Sequence, residues 1–359
     1  MPNAYPTTVI VNVGALSIED VVAVARYGAM VEIAPEALEE VAATRERVEE
    51  LAQDPTPVYG ISTGFGALAR RHIPEEMRAQ LQLSLVRSHA AGTGPEVEEE
   101  VIRALMLLRL STLCTGRTGV RPVVVETYAK ALNAGIVPVV REYGSLGCSG
   151  DLAPLAHCAL ALLGEGEVRV NGELQDAGSA LAAAGIEPLQ LREKEGLALI
   201  NGTDGMLGQL CLAITDLRAA AKTADIATAM TVEGLLGTLV VFADDLQQLR
   251  PHPGQADAAA NILQVAEDSQ ILESALEEFK KNQVQDAYSV RCAPQVAGGF
   301  RDTLAHTAQV AERELAGAVD NPVVAKDGRV VSNGNFHGAP VAYALDFLAI
   351  VTADLASIS

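Results

Sequence analysis

The segment Gly144-Ser-Leu-Gly-Cys-Ser-Gly-Asp151 sets three glycines, two serines and a cysteine directly before an apolar stretch that starts near Leu152. Three ordinary chemistries compete for it. A glycine-rich loop ahead of a helix can cradle phosphate on its amides; here there is no GxxxxGK[ST] and no convincing preceding strand of a βαβ unit. Ser149 read as a hydrolase nucleophile lacks the GxSxG elbow and an assignable histidine partner. A tight turn with Asp151 as the N-cap of the next helix is the third reading, and that capping is compatible with any of them.

A fourth reading depends on the order Xaa-Ser-Gly. GSLGCSGDLAPLAH (144–157) resembles the signature of the histidine/aromatic amino acid ammonia-lyase family. In that family an Ala-Ser-Gly triplet cyclises unaided to 4-methylidene-imidazol-5-one (MIO). The residue types fit this chemistry. The Gly150 amide nitrogen would attack the Cys148 carbonyl carbon, and glycine has no Cβ to block the approach. Ser149 supplies the β-hydroxyl whose elimination leaves a methylidene, two waters being lost in all. Cys148 stands where the family commonly has Ala, but only its carbonyl and Cα enter the ring, so the ring is expected to form.

Five further blocks carry the resemblance in family order, from residue 59 to 338. Tyr59-Gly-Ile-Ser-Thr-Gly-Phe-Gly66 is similar to YGxNTGFG, with Ser62 in place of Asn. Ser88-His-Ala-Ala-Gly92 resembles a segment of the histidine-specific branch. Ile200-Asn-Gly-Thr203 matches LINGT, followed by Asp204 where Gln is common. Gln285-Asp-Ala-Tyr-Ser-Val-Arg-Cys292 is similar to QDxYSLRC, and Asn335-Phe-His-Gly338 matches GNFHG.

The resemblance implies a role for each block. Tyr59 would remove the substrate's β-proton; an ordinary phenol, with a pKa of about 10, needs nearby positive charge or hydrogen bonds to do so. His89 would sit at the substrate side chain and favour imidazole over phenyl. Arg291 would grip the carboxylate bidentately. Tyr288, Asn201 and Gln285 would hydrogen-bond the ring or the substrate, Phe336 would pack beside the ring, and Asp151 would fix the loop that cyclises. Taken singly, each has a plainer reading: loop anchor for Tyr59, helix-end group for His89, ion pair for Arg291, core aromatic for Phe336, and backbone satisfaction for the polar residues. His72, His157, His252, His306 and His337 read as structural or surface residues.

These residues have to be positioned by helices. Ser17-Ile-Glu-Asp20 reads as a capping box. Residues 35–52 open on Pro35, and Pro74 opens a run with Met77, Leu81 and Leu85 on one side. A helix over 95–114 carries acidic residues in its first turn, where the helix dipole favours them. Residues 122–134 read as a helix closed by Gly135. The pattern stays helical from 203 to 248, long enough for a bundle of long central helices. Hairpins are expected at 167–174, around Asn171-Gly172, and at 323–332, around Asp327-Gly328. The fold class read here is mainly α: a bundle of long helices with an N-terminal MIO-loop domain and short hairpins, L-aspartase-like by resemblance. A boundary near 195–200 divides residues 1–198 from 199–359.

Composition sets the remaining limits. The 359 residues carry 26 Lys+Arg against 46 Asp+Glu, a net charge of −20, which argues against a broad nucleic-acid or anionic-membrane surface. Aromatics are 4% with no Trp, so the core is aliphatic. No segment reads as approaching the roughly 18 apolar residues of a bilayer span, and no secretory signal is visible. The five cysteines (114, 148, 158, 211, 292) have no metal-ligand spacing, so the expectation is a reduced, cytoplasmic protein with no metal. Residues 339–358 form an apolar helical pattern without a terminating cap, read as a chain cut at its C-terminal side.

Taken together, the resemblance implies deamination of L-histidine to urocanate and ammonia by a homotetramer with shared active sites. A tyrosine or phenylalanine lyase or aminomutase with the same ring, and a folded assembly with little or no turnover, are the alternatives. A phosphate-binding helical protein is a third and would form no ring.

Overall fold

The computed structural model describes residues 5–54, 56–66, 69–146, 150–282 and 284–359. They form two compact units: Met1–Leu212 with Ala311–Ala342, and Ala213–Val310 with Tyr343–Ser359.

The first unit opens with strand β1 (Thr8–Val11), helix α1 (Ile18–Tyr27) and strand β2 (Met30–Ile33), the two strands pairing in parallel. The capping box at the start of α1 is present: Asp20 N donates to Ser17 Oγ at 3.0 Å and Ser17 N to Asp20 Oδ2 at 2.9 Å. Helix α2 (Pro35–Gln53) begins on its proline, whose missing N–H costs nothing there. Helix α3 (Glu75–His89) follows Pro74, but its buried side is Arg78, Gln82, Leu85 and Val86, and Met77 is exposed. Polar partners turn it: Arg78 donates to Ile73 O and Ala52 O, and Gln82 Oε1 accepts from Leu197 N.

The helix expected over 95–114 starts later. Residues Thr93–Glu96 form strand β3, and helix α4 spans Glu99–Cys114. Pro95 has no amide hydrogen to give a helix, and Gly94 at φ +92° takes up the register shift in the pairing of this strand. The acidic first turn survives as Glu99 and Glu100. Helix α4 is the axis of this unit, buried almost throughout from Ile102 to Cys114, with α1, α2 and helix α5 (Pro122–Asn133) packed on it.

Strands β4 (Ile136–Pro138) and β5 (Arg141–Tyr143) come next, β5 pairing with β3. They are followed by helix α6 (Leu152–Leu162) and the hairpin of β6 (Glu167–Val170) and β7 (Glu173–Asp176). The hairpin turns at Asn171 (φ 52°) and Gly172 (φ 79°), the left-handed pair that a two-residue turn needs. Short helices α7 (Ala177–Ala183) and α8 (Glu195–Ile200) lead into helix α9 (Asp204–Gly234).

Helix α9 does not run on to 248. Leu236 adopts φ +53°, and a Cβ at Gly237 would lie 2.9 Å from Asp286 Oδ1, whose carboxylate accepts Thr238 N at 3.0 Å. That buried acid fixes a turn where propensity alone would have continued the helix.

The second unit then adds a 3₁₀ turn (240–242), α10 (Asp244–Gln248), α11 (Pro253–Val265), α12 (Gln270–Asn282), α13 (Tyr288–Arg291) and α14 (Ala293–Leu315). Its core joins Ala229, Val232, Phe242, Ile262, Leu272 and Val290. Strands β8 (Val323–Val324) and β9 (Val330–Val331) form the second expected hairpin, and helix α15 (Ala339–Ile358) ends the chain.

Among the described residues two stretches are, by length and composition, long and apolar enough to cross a bilayer, which corrects the reading that none comes close. In 195–234, 89% of the apolar window is buried in the structure, as for a core helix. In α15 only 22% is buried.

Candidate active site

Gly150 adopts φ +78°, and a Cβ there would lie 1.9 Å from the Gly202 carbonyl oxygen, so only glycine fits. The next amide, Asp151 N, donates to that same oxygen at 2.6 Å. The end of the serine-glycine loop is therefore pressed onto the Asn201-Gly202-Thr203 segment between α8 and α9. Cys148 and Ser149 lie outside the described residues.

Asp151 occupies the N-cap position of α6, but its carboxyl does not cap that helix. It accepts Ser145 Oγ at 2.7 Å and Met206 N, in the first turn of α9, at 2.9 Å. One side chain thus ties the start of the loop to the start of α9. Burial pushes this carboxyl up to about 6, against the pull of those hydrogen bonds.

Asn201 is buried and its amide donors are already engaged, with Asp320 Oδ1 at 3.3 Å and Asn321 O at 3.1 Å. Its Oδ1 is the atom left to act, as an acceptor. Asp320 in turn receives Lys194 Nζ at 2.5 Å, both side chains being fully buried. Burial lowers the Lys194 pKa, and the Asp320 carboxylate opposes that.

The same neighbourhood gathers two other blocks. Asn321 Oδ1 accepts Ser332 Oγ and Asn333 N, at the entrance to the loop that carries half-buried Phe336. A Cβ on Gly60 would touch Leu197 of α8 at 3.1 Å and Pro322 at 3.4 Å, so the Tyr59 loop packs against both. Tyr59 is half-buried and edge-on to Phe65, with ring centroids 6.3 Å apart. Ser62, the residue that departs from the family's Asn, is buried and accepts Val58 N at 3.0 Å, adding to the backbone bonds of Ile61 N and Ser62 N to Val58 O that close the same turn.

His89 ends α3, with Nδ1 2.9 Å from Leu85 O. A nitrogen facing a carbonyl carries the proton, so Nε2 is left as an acceptor. Nearby, Gly92 N donates to His157 Nε2 at 3.0 Å, binding the Ser88–Gly92 block to α6. His157 is thus a structural link, and burial lowers its pKa.

Gln285, Tyr288 and Arg291 belong to the second unit. Gln285 and Tyr288 are exposed, Tyr288 at 73%. The Arg291 guanidinium lies 5.4 Å from the Tyr288 ring centroid, and its buried Nε has no hydrogen-bond partner among the described residues. No group of three or more His, Cys, Asp or Glu suited to a metal ion occurs among the described residues.

Residues 16–359 match the family model for aromatic amino acid lyases. The chain belongs to this family. It is 62% identical over 353 residues to a histidine ammonia-lyase of Streptomyces avermitilis, covering 98% of this chain and 69% of that protein. The crystal structure of a tyrosine aminomutase from Streptomyces globisporus superposes with a TM-score of 0.90 at 39% identity, over 98% of this chain and 69% of that one. Histidine ammonia-lyase from Trypanosoma cruzi gives 0.87 at 39%, over 98% and 65%. The fold is the mainly helical one of these enzymes, and the protein is a carbon–nitrogen lyase.

Sequence reasoning on this lyase passed over Arg109, Lys194 and Asp320, all fully buried beneath the site. Arg109 had a legible signal: a cation amid the apolar residues of LMLLRLSTLC. Such a residue is buried only when paired. Lys194 carries no such mark, since it sits in the polar stretch REKEG, which reads as surface, and Asp320, directly before Asn321-Pro322, reads as a turn residue.

Proposed function

We propose that this lyase deaminates L-histidine to urocanate and ammonia, with MIO formed from Cys148, Ser149 and Gly150 as its only prosthetic group. The observation that carries the reading is the seat of Gly150: a left-handed glycine, with no room for a side chain, held against Gly202 by the next amide. That is what an amide nucleophile needs to stay unshielded and fixed, and the described part of the triplet fits the group. The 62% identity to a histidine ammonia-lyase supports the substrate. The ring supplies an electrophile that no ordinary side chain offers.

The other steps belong to this chain's residues. Tyr59 Oη takes the β-proton while the Cα–N bond breaks and ammonia leaves. His89 Nε2 accepts the substrate imidazole N–H, a contact a phenyl ring cannot make. The Arg291 guanidinium binds the carboxylate, and its Nε, without a partner among the described residues, supports that reading. Asn201 Oδ1 accepts from the substrate ammonium, Gln285 and Tyr288 contribute further hydrogen bonds, Phe336 excludes water, and Asp151 holds the loop.

We assign a homotetramer with shared sites. In its support, Tyr288, Tyr343 and Ile350 expose 73%, 74% and 68% of their surface in the single chain. Nucleic acid and membrane are not among its assigned partners, in keeping with the −20 charge. The cytoplasm suits the buried thiols of Cys114 and Cys158, which form no disulfide among the described residues.

The test offers L-histidine, L-tyrosine and L-phenylalanine separately and records the absorbance of the unsaturated acid and the intact mass. We expect urocanate from histidine and a mass short by two waters, the deficit vanishing in Ser149→Ala. An unshifted wild-type mass refutes the ring. Turnover of tyrosine or phenylalanine alone, or a β-amino acid product, replaces the histidine reading with one nearer the aminomutases.

A further inference from the structure

We infer that Arg109 is a positioning residue for ring formation: from inside α4 it fixes the Gly202 carbonyl against which Gly150 is set. The inference rests on the ring reading above and adds to it a residue that never touches the ring.

The geometry is specific. Arg109 is fully buried, and its Nη1 donates to Ala198 O at 3.1 Å and Asn201 O at 3.0 Å. Its Nη2 donates to Val319 O at 3.0 Å and meets the Asp204 carboxylate, with Oδ1 at 3.3 Å and Oδ2 at 3.1 Å. One planar fork therefore gathers the end of α8, the start of α9 and the segment before Asp320. Gly202 lies directly on the fork and its carboxylate: a Cβ there would fall 2.2 Å from Asp204 Oδ2, 2.6 Å from Nη2 and 2.9 Å from Cζ. On its other side Gly202 offers its oxygen to Asp151 N at 2.6 Å. The guanidinium, Gly202 and Gly150 are stacked with no slack between them.

A plain ion pair does not account for this arrangement. Among the described residues Arg109 Nε and Asp204 Oδ2 are buried without a hydrogen-bond partner, so the two groups are not disposed for their best mutual pairing. Three backbone carbonyls set the plane of the fork, and the carboxylate takes the remaining edge. Charge neutralisation needs Asp204 alone; three carbonyls, two at the end of α8 and one before Asp320, are needed only to hold a backbone crossing in place. A lysine cannot reproduce it, because an ammonium is a point charge without a rigid fork.

The experiment uses the full chain and reads ring formation directly. The peptide containing residues 148–150 is followed by mass for loss of two waters after a pulse of expression, with circular dichroism as the check on folding. The variants are Asp204→Asn, Arg109→Lys, and the paired Arg109→Met/Asp204→Leu, which strands no buried charge. A displacement of about 1 Å at a reacting centre costs roughly 100-fold in rate, so the paired variant and folded Arg109→Lys should lose water slower by about that factor. Asp204→Asn keeps the three carbonyl bonds and should mature as the wild type does. Wild-type maturation in Arg109→Lys or in the paired variant overturns the inference. So does Asp204→Asn slowed as much as Arg109→Lys, since the ion pair would then be the cause. A wild type that loses no water overturns the ring reading itself, which separates the two failures.

Discussion

Replacing Asp151 by asparagine should change how stability depends on pH, and the size follows from its setting. The carboxyl is buried, and its pKa stands at about 6 against an ordinary 3.8. Below 3.8 it is protonated in both the folded and the unfolded chain. Between 3.8 and 6 the unfolded chain ionises while the folded chain keeps its proton. The folded state then binds more protons, so stability falls as pH rises, and the loss is complete above about 6. At about 1.4 kcal/mol per pH unit the whole effect comes to about 3 kcal/mol.

Asp204 and Glu314 are pushed up by burial as well, but both remain in the variant, so the difference between the two proteins isolates Asp151. Asparagine loses one acceptor for Ser145 Oγ or Met206 N, a cost of about 1 kcal/mol that does not vary with pH. The assay is urea unfolding followed by far-UV circular dichroism from pH 4 to 7.5. Wild type should weaken through this window relative to Asp151→Asn, by up to about 3 kcal/mol. Parallel curves would show that Asp151 is solvated or already ionised in the fold, and would refute the argument.

Lys194→Met should destabilise the protein by about 3–5 kcal/mol, because it strands the buried Asp320 carboxylate. Adding Asp320→Leu should recover part of this, and a double variant no better than the single one would argue against a coupled pair. Burial pushes the thiols of Cys114 and Cys211 up to about 12, and that of Cys158 higher still. Since the thiolate is the reactive form, iodoacetamide at pH 8 should leave all three unlabelled until urea is added; labelling of the native protein would contradict their burial. His89→Phe should lower kcat/KM for L-histidine by about 10–200-fold with a smaller change for L-phenylalanine, and equal losses on both substrates would remove His89 from specificity.

Local signals in the sequence were a good guide where a single element decides its own structure. Ser17 with Asp20, Pro35, Gly135 and the Asn171-Gly172 turn act within a few residues, and the corresponding caps and turns are present. Reading failed where a distant group intervenes. Asp286 stops the α9 pattern at Gly237 from nearly fifty positions away in the chain, and Gln82 and Arg78 rotate α3 because their partners lie on other segments. Strands β1 and β2 were not expected, since four residues of pattern are too few to register without the partner strand.

For the site the division is similar. The triplet proposed to form the ring is legible in the sequence alone, because cyclisation would need only a carbonyl, a β-hydroxyl and an unshielded amide in consecutive residues. The sequence also marked Tyr59, His89, Asn201 and Phe336 by their motifs. Only the tertiary structure decided which atoms of these residues remain available: Oδ1 of Asn201, once Asp320 and Asn321 have taken its donors, and Nε2 of His89, once Leu85 has taken Nδ1. It alone turned Asp151 from a cap of α6 into a strap to α9, and set Arg109 beneath Gly202. The physical reason is that hydrogen-bond capacity is shared among segments far apart in the chain, and which donors and acceptors remain free is settled only when those segments meet.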